Sequence, residues 1–225
     1  MANSNNVFNA NLAACCNGLD PASTPEDIEK RSFAIIDAEV GEPRPFSGAA
    51  WEVARRLVHT CGDLGLLADL HLPQAAVQAG ISALAKGATV YTDTEMAKAG
   101  MPQRRLAPMG VQVVCMLSLV EKAAAGSTRS RAGVLQAGRA LGGSIVAIGN
   151  APTALLALLE YMDAGGPPPA LVIAMPVGFV NAAESKELLV QRPDIPALVI
   201  HGRRGGSAFA AATVNALAIL AAKAQ

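Results

Sequence analysis

The stretch SIVAIGNAPTALLALLEYMDAGGPPPALVIA, residues 144–174, decides the fold. Two short, continuously apolar, β-branched runs, 144–148 and 170–174, flank an Ala/Leu-rich segment at 152–163 that suits a helix. Apolar strands with no polar alternation, separated by a helix, describe a βαβ unit in a sheet covered on both faces. The pattern continues outward. Runs at 88–91, 111–115 and 197–200 read as further strands, with helical stretches near 93–99, 130–141, 184–190 and 207–223. The prediction is a three-layer α/β fold with a mostly parallel, five-stranded sheet and extra N-terminal helices packed beside it.

Those N-terminal helices have their own signals. Thr24-Pro25-Glu26-Asp27 supplies a hydroxyl cap, Pro at the first helical position and acids in the first turn. Ile28, Ile35 and Ile36 form one apolar face, and Gly41 with Pro43 ends the helix. A second helix starts near Ser47, with Ala50, Trp51, Ala54, Leu57, Val58 and Cys61 on its core side. A third follows Pro73. Residues 1–23 are polar and Asn-rich and are expected to form a flexible arm, leaving 24–225 as a single domain.

Composition sets limits. The 225 residues are 52% apolar and 16% charged, which excludes wholesale disorder. Eighteen basic residues balance eighteen acidic ones, so there is no general nucleic-acid footprint. Twelve of the basic residues are Arg, which leaves room for a local anion site. The four cysteines, Cys15, Cys16, Cys61 and Cys115, form no CxxC pair, so neither a disulfide framework nor a zinc site is expected. The N-terminal residues lack a secretory pattern. The Ala-rich C-terminal stretch is interrupted by Ser207, Thr213 and Asn215 and reads as a buried helix rather than a membrane span. A cytoplasmic location is the expectation.

In open α/β sheets, ligands bind beyond the carboxyl ends of the strands. Three such ends carry unusual loops: Gly149–Thr153, Met175–Asn181 and His201–Ser207. Each alone is an ordinary βα turn, and together they favour a ligand site. None matches a P-loop or a GxGxxG motif. Glu52, Arg56, His59 and Asp63 share a helix face, and imidazole is the side chain that exchanges a proton near neutral pH. On pattern alone this is a solvated face. Ser32 interrupts the apolar stripe of the first helix and either bonds back to a carbonyl or faces a ligand. Gly126–Arg131 reads as an anion-binding helix start or as a polar cap. His71 is placed in a solvated loop, and Cys61 in the core.

The segments RSFAII (31–36), RRLVHTCGD (55–63), STRS (127–130), AIGNAPTALL (147–156), MPVGFVNAAESK (175–186) and GRRGGSAFAAATVNAL (202–217) resemble, in order, the precorrin-8X methylmutases of corrin biosynthesis. The resemblance implies a flavodoxin-like fold and a homodimer with active sites near the subunit contact. It implies transfer of a methyl group from ring carbon 11 to ring carbon 12 of a carboxylate-fringed tetrapyrrole, giving hydrogenobyrinate or its cobalt counterpart. Hand-over to other corrin-pathway enzymes goes with it. It places the proton donor on His59 and substrate binding on Ser32, Arg56, Thr128, Arg129 and Ser130. An intramolecular methyl shift calls for no cofactor, metal or external nucleophile. A non-catalytic carrier of the same macrocycle is the rival reading.

Overall fold

The computed structural model describes residues 24–223, so the arm expected over 1–23 lies outside the described residues. Helix α1 (Pro25–Val40) begins where Thr24 Oγ1 accepts from the Asp27 amide, with Pro25 at its start. Helix α2 (Gly48–Cys61) follows and ends on Gly62 in the left-handed conformation. Then come β1 (Leu70–His71), α3 (Gln74–Ala85), β2 (Val90–Thr92), the short α4 (Glu95–Ala99) and α5 (Gln103–Leu106), and β3 (Val113–Cys115). The remainder alternates regularly: α6 (Arg129–Ala137), β4 (Ile145–Ile148), α7 (Pro152–Asp163), β5 (Leu171–Ala174), α8 (Ala182–Val190), β6 (Ala197–Ile200) and α9 (Ser207–Lys223).

The sheet runs β1-β6-β5-β4-β2-β3. Five of its strands are parallel, and β1 pairs antiparallel with β6 at one edge, Leu70 opposite Ile200 and His71 opposite Val199. Leaving β1 aside, the order is that of the flavodoxin-like doubly wound folds, with its switch point between β2 and β4. The five-stranded expectation therefore gains a sixth strand. A two-residue strand is too short to carry an alternation, so its pairing comes entirely from β6, and the loop expected at His71 is an edge strand.

Strand side chains alternate between two cores. Ile145, Ala147, Leu171, Ile173, Leu198 and Ile200 join α2, α3 and α9 on one face. Val146, Ile148, Val172, Ala174 and Val199 join α6, α7 and α8 on the other. Both surfaces of the central strands are dry, which explains their uninterrupted apolar sequences. Against this rule, α1 buries no residue: Ile28 and Ile35, expected on a core face, are 54% and 56% exposed. Only Ile36 and Val40 pack partly against the core. Polar contacts do the docking: Trp51 Nε1 donates to Asp37 (2.9 Å), Arg55 pairs with Asp37 (2.6 Å) and Arg56 with Glu29 (2.9 Å).

Candidate active site

At the switch point, where this topology ordinarily receives a ligand, the chain supplies its own anion. Asp93, 1% exposed, follows β2, and its carboxylate accepts from the amides of Gly149 (3.0 Å), Asn150 (2.8 Å) and Ala151 (2.7 Å). Burial raises its pKa, while these three N–H bonds pull the other way. The start of α9 closes the crevice: a Cβ on Gly149 would lie 2.6 Å from Ser207 Cα, so only glycine fits. Thr94 Oγ1 and Ser207 Oγ, 3.1 Å apart, tie the two together. Asp93 is not among the residues expected at the site from sequence. Its position directly after a strand was the available signal.

The glycine-rich segment after β6 is equally occupied. The Gly206 amide donates to Met175 O, and the Gly178 amide to Arg203 O. A Cβ on Gly205 would fall 2.2 Å from Met175 O. These loops are packed against each other rather than opened as a phosphate cradle.

Open space lies to the side, between α1, α2 and these loops. A cavity of about 340 Å³ is lined by Ser32, Ile35, Ile36, Glu39, Val58, His59, Gly62 and Leu64. Ser32 and His59, 27 positions apart in sequence, thus line the same cavity. His59 is exposed near the end of α2, and its ring and the Phe33 ring form a T-shaped pair with centroids 5.5 Å apart. A second cavity, of about 440 Å³, is lined by Cys61, Asp63, Val177, Phe179, Arg203, Arg204 and Phe209 among others. Arg203 stacks over Phe179 (5.1 Å), and Arg204 pairs with Asp63 (2.7 Å) and Asp69 (3.4 Å). Cys61 is exposed here, not in the core: the last turn of α2 carries it past the packed face.

The other expected site residues fall elsewhere. Arg56 is 8% exposed, stacked against Phe33 (5.1 Å) and bonded to Glu29, and it does not line the His59 cavity. The bond from Arg56 holds the Glu29 carboxyl below the usual carboxylate range. Thr128 caps α6, accepting from the Arg131 amide (3.1 Å) and donating to Thr153 (3.0 Å). Arg129 donates to the carbonyls of Leu117 and Val120. With half-buried Ser130 they start the α6 layer, on the face of the sheet opposite α2. Within this chain they do not line the His59 cavity. Among the described residues no group of His, Cys, Asp and Glu is placed to hold a metal ion.

The fold is thus a flavodoxin-like α/β protein whose crevice is sealed and which carries two flanking pockets, one with an imidazole and a hydroxyl and the other with two arginines. Comparison with known proteins gives the family. The precorrin-8X methylmutase family model matches residues 27–220. A precorrin-8X methylmutase of Pseudomonas aeruginosa is 44% identical over 208 residues, covering 89% of this chain and 98% of that protein. A cobalt-precorrin-8 methylmutase of Leptospira interrogans is 38% identical, covering 88% and 94%. The crystal structure of the precorrin-8X methylmutase from Thermus thermophilus superposes with a TM-score of 0.81 at 42% identity, over 88% of this chain and 98% of that one. The chain belongs to the precorrin-8X methylmutase family, a family of isomerases.

Proposed function

We propose that this chain moves a methyl group from ring carbon 11 to ring carbon 12 of precorrin-8X, giving hydrogenobyrinate, with His59 as the proton donor. The observation that supports the site assignment is that His59 and Ser32 both line one open, partly apolar cavity. The reaction is a rearrangement within one molecule. A proton or strong hydrogen bond on the ring nitrogen beside the migrating methyl draws electron density through the conjugated system and favours the rearranged isomer. An imidazole paired with the Phe33 ring can supply that bond, and Ser32 can accept or donate at the same ligand edge. Isoleucines of α1 face the macrocycle, and Arg203 and Arg204 meet its carboxylates, because guanidinium binds carboxylate through paired N–H bonds. Holding the macrocycle in a reactive shape away from water supplies further acceleration.

The reading includes a homodimer. The apolar side chains left uncovered outside the two cavities support it: Ile28 (54% exposed) and Val180 (76%). In it, Thr128, Arg129 and Ser130 reach the macrocycle from the second copy, since in their own chain they lie across the sheet from His59. The domain is taken as residues 24–225. No described helix is long and apolar enough to cross a membrane. The reading also includes a cytoplasmic setting and hand-over between pathway enzymes.

Conversion of precorrin-8X followed by absorbance tests this. His59→Ala is expected to bind substrate but convert it about 10²–10⁴-fold more slowly, the usual worth of general acid catalysis. Binding with conversion at the normal rate would remove His59 from the mechanism. Binding without conversion by the unaltered chain would favour the carrier.

A further inference from the structure

Lys186, on α8, is one of the largest fully buried side chains in the protein, and nothing in the reaction above uses it. Its ammonium donates to two carbonyls, Ile200 O and Arg204 O, each at 2.7 Å. Ile200 is the last residue of β6, and Arg204 lies four residues beyond it. One charged group thus spans both stems of the turn His201–Arg204. The turn is held from its other side by Gly178 N to Arg203 O (3.2 Å) and by Gly206 N to Met175 O (2.9 Å). Its two arginines line the 440 Å³ cavity, Arg203 over the Phe179 ring and Arg204 between Asp63 and Asp69.

A lysine is a costly choice for this task. Burial draws its pKa down from 10.5 to about 8, eased by the nearby charge of Asp69. Both of its hydrogen bonds go to carbonyls rather than to a carboxylate. The geometry explains the choice. Two carbonyls converge on one point inside the protein, and a single ammonium with three donors satisfies both, which no apolar side chain can do. Charge-assisted bonds are also shorter and about twice as strong as neutral ones.

We infer that Lys186 is a positioning residue of the substrate site: it fixes the turn that presents Arg203 and Arg204 to the carboxylates of the macrocycle. This rests on the functional reading above. Lys186 touches no substrate. It acts through the backbone that carries the two guanidinium groups, so its removal weakens ground-state binding and leaves the rearrangement of bound substrate nearly intact.

Steady-state kinetics of the full-length chain on precorrin-8X test the inference. Lys186→Met is expected to raise KM about tenfold or more and to change kcat by less than about threefold, the pattern of lost uniform binding. Made in an Arg203→Ala/Arg204→Ala background, the same substitution is expected to add less than about twofold, because residues acting as one unit do not add. A merely structural role would carry its full effect into both backgrounds. An unchanged KM, an equal fall in kcat, or a full additional loss in the double-alanine background overturns the inference. If Lys186→Met does not fold, Lys186→Gln, which keeps an N–H donor, is read in the same way. Failure of both to fold makes Lys186 a requirement of folding and overturns the inference as well. An unaltered chain that does not convert precorrin-8X overturns the functional reading. An active one with an unaffected variant overturns only the role of Lys186.

Discussion

Arg56 and Lys186 are both buried cations, and their settings differ. Arg56 has a carboxylate partner in Glu29, and a carboxylate of the substrate would have to compete with it. Arg56→Ala is therefore expected to raise KM more than it lowers kcat, while Glu29→Gln, which frees the guanidinium, leaves KM unchanged or lower. A rise in KM for Glu29→Gln would instead make the pair a support for α1. Lys186 has only carbonyls, and its pKa is near 8 rather than 10.5. Between those values the unfolded chain holds a proton that the folded chain has released. Stability from this group therefore rises as pH climbs from about 8 to 10.5, by at most about 3 kcal/mol. Urea midpoints at both ends of that interval should show the rise in the unaltered chain and lose it in Lys186→Met.

Elements were legible where burial dictates sequence. Strands β4, β5 and β6 are dry on both faces, so their bounds lie within a residue of the apolar runs, and α7 and α9 match their expected spans. The misses came where an element takes its order from a neighbour. Strand β1 exists because β6 offers an edge, and α1 carries an apolar stripe that this chain leaves in solvent. The expected site rests on the family resemblance, through RSFAII and RRLVHTCGD, and Ser32 and His59 from those two segments line one cavity. Glu29, Asp93 and Lys186 were not legible, since a buried charge is recognisable only once its partners are known. Asp93 carries the element-scale prediction. Asp93→Ala leaves two buried amides, those of Gly149 and Ala151, and the part-buried one of Asn150 without an acceptor, at about 1–3 kcal/mol for each buried one. The expected result is a melting temperature lowered by more than about 10 °C, or no folded protein. A change of a few degrees would mean that water replaces the carboxylate.

At the scale of the whole molecule, the open question is what meets the uncovered surface formed by α1 and the Phe179–Val180 loop. A second copy of the chain is the proposed answer, and light scattering should report a dimer. Complementation tests the finer point. His59→Ala and Arg129→Ala are each expected to be nearly inactive, and mixing them should restore activity, because a mixed dimer holds one site with both residues intact. No recovery on mixing, with subunit exchange verified, would return Thr128–Ser130 to the pocket of their own chain.

Helix α1 is fastened to the body chiefly by ion pairs and an indole–carboxylate hydrogen bond, all only partly buried, and ions in solution weaken such contacts, though less than fully exposed ones, with a Debye length of about 8 Å at physiological strength. Concentrated salt should therefore loosen this wall from the α/β body before it disturbs the oily interior. An assay run in concentrated sodium chloride would then lose turnover while the far-ultraviolet spectrum stays put.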